Sequence, residues 1–262
     1  MPPRSSTSFC SGSRSITGYE DSYKSLNEAV YHGGFAHRLN ARLNWVEAEA
    51  LEREGGTALL DGADGILVPG GFGSRGWEGK ILACQVARER EIPYLGICLG
   101  MHVAVSEFAR NVAGLEGANS TEMDPGTPYP VIDLLPEQKE IEELGGTMRL
   151  GAQAVELAEG TRAREIYDQP VIHERHRHRY EFNCLYEQTL TDKGLQIVGR
   201  SLDGKFVEIV ELPTHPWYVA VQFHPEFKSK PRRPHPLFAG FVEASHRHKL
   251  AGRPETTVSV VG

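Results

Sequence analysis

Pro93-Tyr94-Leu95-Gly96-Ile97-Cys98-Leu99-Gly100-Met101-His102 decides how this 262-residue chain folds. Tyr94 to Ile97 is an uninterrupted apolar run, the pattern of a strand buried on both faces of a parallel sheet. It leads into Gly96-Ile97-Cys98-Leu99-Gly100, and then into Val103, Val105, Phe108 and Ala109, which are spaced as in a helix. Strand, G-x-C-x-G and helix form a nucleophile elbow with sulfur in place of oxygen. The glycines permit a sharp turn where a Cβ would clash. That turn lifts Cys98 above the sheet edge at the first turn of the following helix, where free N–H groups and the helix dipole provide the setting reactive cysteines use. A cysteine met alone reads as a small buried apolar residue. The glycine bracket and the strand-to-helix context make this one a candidate nucleophile.

A nucleophilic cysteine needs a base. Trp217-Tyr218-Val219-Ala220-Val221-Gln222-Phe223 reads as another strand, with His224 just past its end and Glu226 two positions on. In extended chain those two side chains point the same way. The carboxylate is then placed to hold one imidazole nitrogen while the other faces Cys98. The tripeptide His224-Pro225-Glu226 alone reads equally as a turn with a solvated acid. A third piece, Gly65-Ile66-Leu67-Val68-Pro69-Gly70-Gly71-Phe72-Gly73, is a strand followed by a glycine-rich turn. Exposed backbone N–H groups in such a turn receive an oxyanion. Neither G-x-x-x-x-G-K-[ST] nor G-x-G-x-x-G is completed there, so a phosphate loop is not indicated. The N–H groups of Gly71 and Leu99 are the expected pair.

Pro69-Gly70-Gly71-Phe72-Gly73, Gly96-Ile97-Cys98-Leu99-Gly100-Met101 and Gln222-Phe223-His224-Pro225-Glu226-Phe227, in this order, resemble a class I (triad) glutamine amidotransferase domain. More narrowly the chain resembles the glutaminase domain of CTP synthases. This rests on Ala118-Asn119-Ser120-Thr121-Glu122, Gly145 to Gly151, Glu174 to Glu181 and His235-Pro236-Leu237-Phe238. The resemblance spans about Tyr19 to His246. It implies a mostly parallel open α/β sheet with helices on both faces and a smaller antiparallel β section. It implies Cys98, His224 and Glu226 as the triad, and substrate contacts from Gly71, Leu99, Gly100, Met101, His102, Glu122 and Arg179. By residue type alone, Glu122 reads as a solvated loop acid and Arg179 as part of a basic strand. By resemblance they match the partners of the α-ammonium and α-carboxylate of L-glutamine, and both groups suit that chemistry. The family usually carries Gln at the position of His102. Imidazole there is shorter, ionises near neutral pH and still donates a hydrogen bond.

The resemblance further implies a partner, the synthetase domain of CTP synthase, to which ATP, Mg²⁺, UTP and GTP belong. No cofactor is expected in the glutaminase domain itself, and without the synthetase domain the chain is not expected to make CTP alone. A non-catalytic binding or regulatory module, or a truncated fragment with little activity, is the competing reading. His173, His176 and His178 lack a carboxylate or cysteine at ligand spacing, so no metal is expected.

A net charge of −7 gives no electrostatic case for nucleic acid. Cys10, Cys84, Cys98 and Cys184 form neither a disulfide framework nor a zinc pattern, which fits a reducing cytoplasm. No stretch approaches the roughly 20 apolar residues of a membrane span. Residues 1–18 read as a disordered or atypical start, 19–250 as the amidotransferase domain, and 251–262 as a loose tail. Relatives open the domain with an apolar strand before a G-K-Y motif, which only Thr17-Gly18-Tyr19 echoes. A missing central strand predicts exposed sheet edges and lowered stability. Tyr23, Leu26, Ala29 and Val30 predict a helix closed by Gly33-Gly34. Asp203-Gly204 predicts a hairpin between 195–201 and 205–212.

Overall fold

A computed structural model of the chain describes residues 23–134, 148–252 and 257–262. The expected disordered start, 1–18, lies outside the described residues. Strands and helices alternate through the first half: α1 Lys24–His37, β1 Arg42–Val46, α2 Ala48–Leu51, β2 Gly65–Val68, α3 Trp77–Glu89, β3 Tyr94–Ile97 and α4 Leu99–Asn111. Short strands β4 Asn119–Ser120 and β5 Pro130–Asp133 follow. Then come β6 Arg149–Leu157, α5 Arg162–Tyr167, β7 Val171–His178 and β8 Glu181–Phe182. The chain continues through α6 Glu187–Thr191, β9 Gln196–Ser201, β10 Val207–Glu211, β11 Tyr218–Val221, α7 Pro236–Gly252 and β12 Thr257–Val261.

Nine strands form one sheet in the order β1-β12-β2-β3-β11-β10-β9-β6-β7. The first five are mutually parallel and the rest pair antiparallel. The antiparallel section is thus continuous with the parallel one, and a separate three-stranded sheet of β4, β5 and β8 flanks it. Side chains alternate across the parallel section and divide the core in two. Ile66, Val68, Tyr94, Tyr218 and Ala220 pack on one face with α2, α3 and α4. Leu67, Leu95, Ile97, Val219 and Val221 pack on the other with α1, α5 and α7. This two-faced burial is why the strands read as apolar runs.

The structure corrects two expectations. Residues 257–261 are not a loose tail. They form β12, which runs parallel between β1 and β2, with Val258 opposite Gly65 and Val46 opposite Val261. The central position expected to be empty is therefore filled by a segment that follows α7. Val258, Val260 and Val261 are buried, so their burial replaces the edges that the missing strand would have exposed. Nor do Gly33 and Gly34 close α1, which continues to His37 and is capped by Arg38 in the left-handed region (φ 58°). A Cβ on Gly33 would lie 2.5 Å from the Phe238 carbonyl oxygen, so this glycine permits the close approach of α1 to α7.

Candidate active site

The candidate nucleophile sits on a strained turn. Cys98 has φ 52° and ψ −102°, a conformation that non-glycine residues seldom adopt and that costs about 1–3 kcal/mol. Its amide donates to Val221 O at 2.7 Å, and its carbonyl accepts from the Met101 and His102 amides, opening α4. Glycines on either side are needed for space. A Cβ on Gly100 would stand 2.2 Å from Val68 O, and one on Gly96 would stand 2.6 Å from Gly100 O. The elbow is thus pressed between β2, β3 and β11.

His224 follows β11, and its amide donates to Arg175 O at 2.8 Å, which ties the turn to β7. Its Nδ1 lies 2.7 Å from Glu226 Oε1. His224 Nε2 is buried without a hydrogen-bond partner of ordinary geometry. Burial disfavours the imidazolium, but interactions with Cys98 and with Glu226 outweigh it, and the His224 pKa is pushed up to about 10. The two catalytic candidates flank Gly70, where a Cβ would come within 2.7 Å of His224 Cε1 and 3.5 Å of Cys98 Cβ. Gly71, next in the turn, lies against the Leu99 side chain.

Cys98 opens on a cavity of about 380 Å³ that is also lined by Gly71, His102, Glu122 and Arg179. His224 lines an adjoining cavity with Arg175, His176, Arg177 and Phe227. Of the substrate contacts expected from α4, the side chains of Leu99 and Met101 are buried in the core, and Gly100 is pressed on Val68, so these three can offer only backbone. Phe72, Met148, Arg177, His178 and Tyr180 complete the main cavity; of these the sequence singles out only His178, and only as a metal ligand to be weighed. The alternation in Arg175-His176-Arg177-His178 was the available signal, since the arginines are exposed and the histidines buried.

Glu122 Oε1 accepts from the Gly73 amide at 3.1 Å, which links the loop after β4 to the glycine turn. Burial raises the Glu122 pKa, opposed by the Gly73 amide and by the Arg179 guanidinium. His102 Nε2 lies 2.9 Å from Gln222 Oε1. Burial lowers its pKa to about 4, although Gln222 and the Tyr180 carbonyl favour the charged form. The expectation that His102 ionises near neutral pH is therefore corrected: it remains neutral there. His176 and His178 face each other, Nδ1 to Nε2, at 2.9 Å on the buried side of β7, while His173 is exposed. Among the described residues no group of three or more His, Cys, Asp or Glu is placed to hold a metal ion. No described helix is long and apolar enough to cross a membrane.

An elbow cysteine, a carboxylate-held histidine from a distant strand end and a glycine turn above a parallel sheet form an arrangement suited to cysteine-dependent acyl transfer. Residues 19–244 match the family model of glutamine amidotransferase class-I, and the chain belongs to that family. Within it, the chain is 61% identical over 230 residues to the CTP synthase of Caldanaerobacter subterraneus subsp. tengcongensis, covering 88% of this chain and 43% of that protein. It is 56% identical over 225 residues to the CTP synthase of Bacillus subtilis, covering 86% and 42%. The chain thus spans less than half the length of these relatives. Among solved structures it is similar to the Trypanosoma brucei CTPS glutaminase domain with bound acivicin, with a TM-score of 0.84 and 37% identity, covering 89% of this chain and 91% of that one.

Proposed function

We propose that this domain hydrolyses L-glutamine through Cys98, His224 and Glu226, and that the ammonia serves the amination of UTP to CTP on a synthetase partner. The observation that carries the reading is the half-buried His224–Glu226 pair beside Cys98 at the cavity wall. Cys98 Sγ attacks the side-chain amide carbon of glutamine. The oxyanion is received by the N–H groups of Gly71 and Leu99. His224 takes the Cys98 thiol proton and gives it to the departing amide nitrogen, which leaves as ammonia, and a γ-glutamyl thioester remains. Water then attacks the thioester, His224 takes the water's proton and returns it to Cys98 Sγ as the C–S bond breaks, and glutamate is released. Glu122 holds the α-ammonium and Arg179 the α-carboxylate, while the backbone of Leu99, Gly100 and Met101 and the ring of His102 shape the wall. ATP, Mg²⁺, UTP and GTP belong to the partner half, and no step described here uses them.

Ammonia release by the purified full chain is the test, with Cys98→Ala as control. The expected loss in the variant is at least about 10³-fold. Release by the unaltered chain at the level of the control would leave only a binding or regulatory role. Addition of a separately produced synthetase domain with ATP, Mg²⁺ and UTP should yield CTP from glutamine.

A further inference from the structure

Residue 262 and residue 23 meet in space although they stand at opposite ends of the described sequence. The Gly262 amide donates to Val46 O at 3.3 Å, and its carbonyl accepts from the Ala48 amide at 3.1 Å. Its Cα is packed on the rings of Trp45 and Tyr23, such that an added Cβ would lie 3.5 Å from the first and 4.0 Å from the second. Those rings are themselves stacked at a tilt, with centroids 5.3 Å apart. The Tyr23 hydroxyl donates to Gly70 O at 3.3 Å. Gly70 is the residue that both His224 and Cys98 crowd. A continuous line of contacts therefore joins the end of β12 to the turn that carries Gly71.

We propose that the cleft between β1 and β2 is a strand-binding site whose occupant is residues 257–262, and that Tyr23 is the positioning residue coupling that occupant to the turn at Gly70–Gly71. The recognised chemistry is an extended segment in parallel register. Val258 and Val260 are directed into the core shared with Leu67 and Val221, and Val261 into the core on the opposite face. The small hydroxyl side chain of Ser259 is buried and accepts from Asn44 Nδ2 at 3.4 Å. Among the described residues this segment follows α7, and Gly262 packs on Tyr23, just before α1, so β12, α1 and β1 are arranged as a β–α–β unit although β12 lies far from α1 in sequence. Without the occupant, β2 loses one of its two ladder partners and keeps only β3 before Pro69-Gly70-Gly71, and Tyr23 loses the Gly262 side of its packing. The structural half of the inference stands on this packing, whereas its effect on turnover rests on the glutaminase reading.

The test uses the full chain carrying a protease-cleavable sequence at 253–256, cut after folding. Cut protein separated from its strand should show faster amide hydrogen exchange across 65–71 and at least a tenfold loss of kcat. The synthetic peptide Thr-Val-Ser-Val-Val-Gly should restore both, and the same peptide with Asp in place of the Val corresponding to Val260 should restore neither. Stripped protein with unchanged exchange and turnover overturns the inference, as does precipitation that the peptide, present during cutting, does not prevent. In the uncut chain, Tyr23→Phe should lower kcat severalfold with KM unchanged and speed exchange at Gly70–Gly71, while leaving exchange of α7 as it was. Wild-type kcat and exchange in that variant remove Tyr23's role. If the unaltered chain releases no ammonia, the glutaminase reading fails, and the exchange measurements alone decide the strand inference.

Discussion

His224 takes its proton affinity from its two neighbours against the effect of its own burial. Its pKa in the folded chain is raised from 6.5 to about 10, so its contribution to stability is fully present below about pH 6.5 and is lost as pH rises through about 10. Glu226→Gln removes one of the two groups that raise it. The variant should therefore lose stability most at pH 6–7, and the difference from the unaltered chain should shrink as pH approaches 10, as read by urea denaturation. In the proposed reaction the imidazolium is also the proton donor to departing ammonia, so the alkaline limb of kcat/KM should move to lower pH in the same variant. Turnover should fall by about 10²–10⁴-fold, since the carboxylate also fixes ring orientation. His102 behaves in the opposite way. Held near pKa 4 by burial, it does not ionise between pH 5.5 and 8. Replacement by Gln should change KM for glutamine without moving any limb of the pH profile in that range. A limb near pH 6 that vanishes in His102→Gln would contradict the buried, neutral placement.

Among the elements, those with a strong period were legible in the sequence and those defined by a distant partner were not. β2, β3 and α4 follow from apolar runs and helical spacing, and the elbow geometry follows from where they join. The Asp203-Gly204 hairpin also formed, as β9 and β10. α1 was predicted to stop at Gly33-Gly34 because glycine often closes a helix, yet the reason for Gly33 lies 205 positions away in the Phe238 carbonyl. Gly33→Ala should destabilise by about 1–3 kcal/mol, with an unchanged denaturant m-value, because a new methyl meets backbone that cannot rotate away. An equal or higher midpoint would show that α1 and α7 have room to separate. β12 was misread for a related reason. Thr-Val-Ser-Val-Val has β-branched and alternating character, but nothing local says that an empty lane awaits it between β1 and β2. At the candidate site, the placing of Cys98, His224 and Glu226 near one another was legible because strand ends mark them. Phe72, Met148 and Tyr180 were not, because a cavity wall has no period of its own.

At the scale of the molecule, α4, β7 and β8 carry buried titratable groups close to the site, and they oppose one another as pH changes. His102 (about 4), His176 (about 3) and His178 (well below 6.5) are held neutral chiefly by burial. Their folded pKa values are depressed, so the stability they contribute is present above about pH 6.5 and falls away as pH drops below it. Glu181 is the reverse case. Burial foremost, with Glu208 beside it, raises its pKa to about 8 despite the Arg149 guanidinium at 3.2 Å. Its contribution is present below about pH 4.5 and is lost as pH rises through 8. Between pH 4.5 and 6.5 the unfolded chain takes up protons on three histidines while the folded chain retains one on Glu181, so stability climbs with pH. Between 6.5 and 8 the histidines are neutral in both states, and the proton held by Glu181, together with that on His224, makes stability decline. Each such group contributes a slope of at most about 1.4 kcal/mol per pH unit. Urea midpoints measured from pH 5 to 9 should therefore peak near pH 6.5. In Glu181→Gln, which keeps the hydrogen-bonding shape and removes the proton equilibrium, the fall between pH 6.5 and 8 should become shallower while the acid side stays steep. A variant whose alkaline decline matches that of the unaltered chain would place the Glu181 proton elsewhere and leave His224 as the origin of the slope.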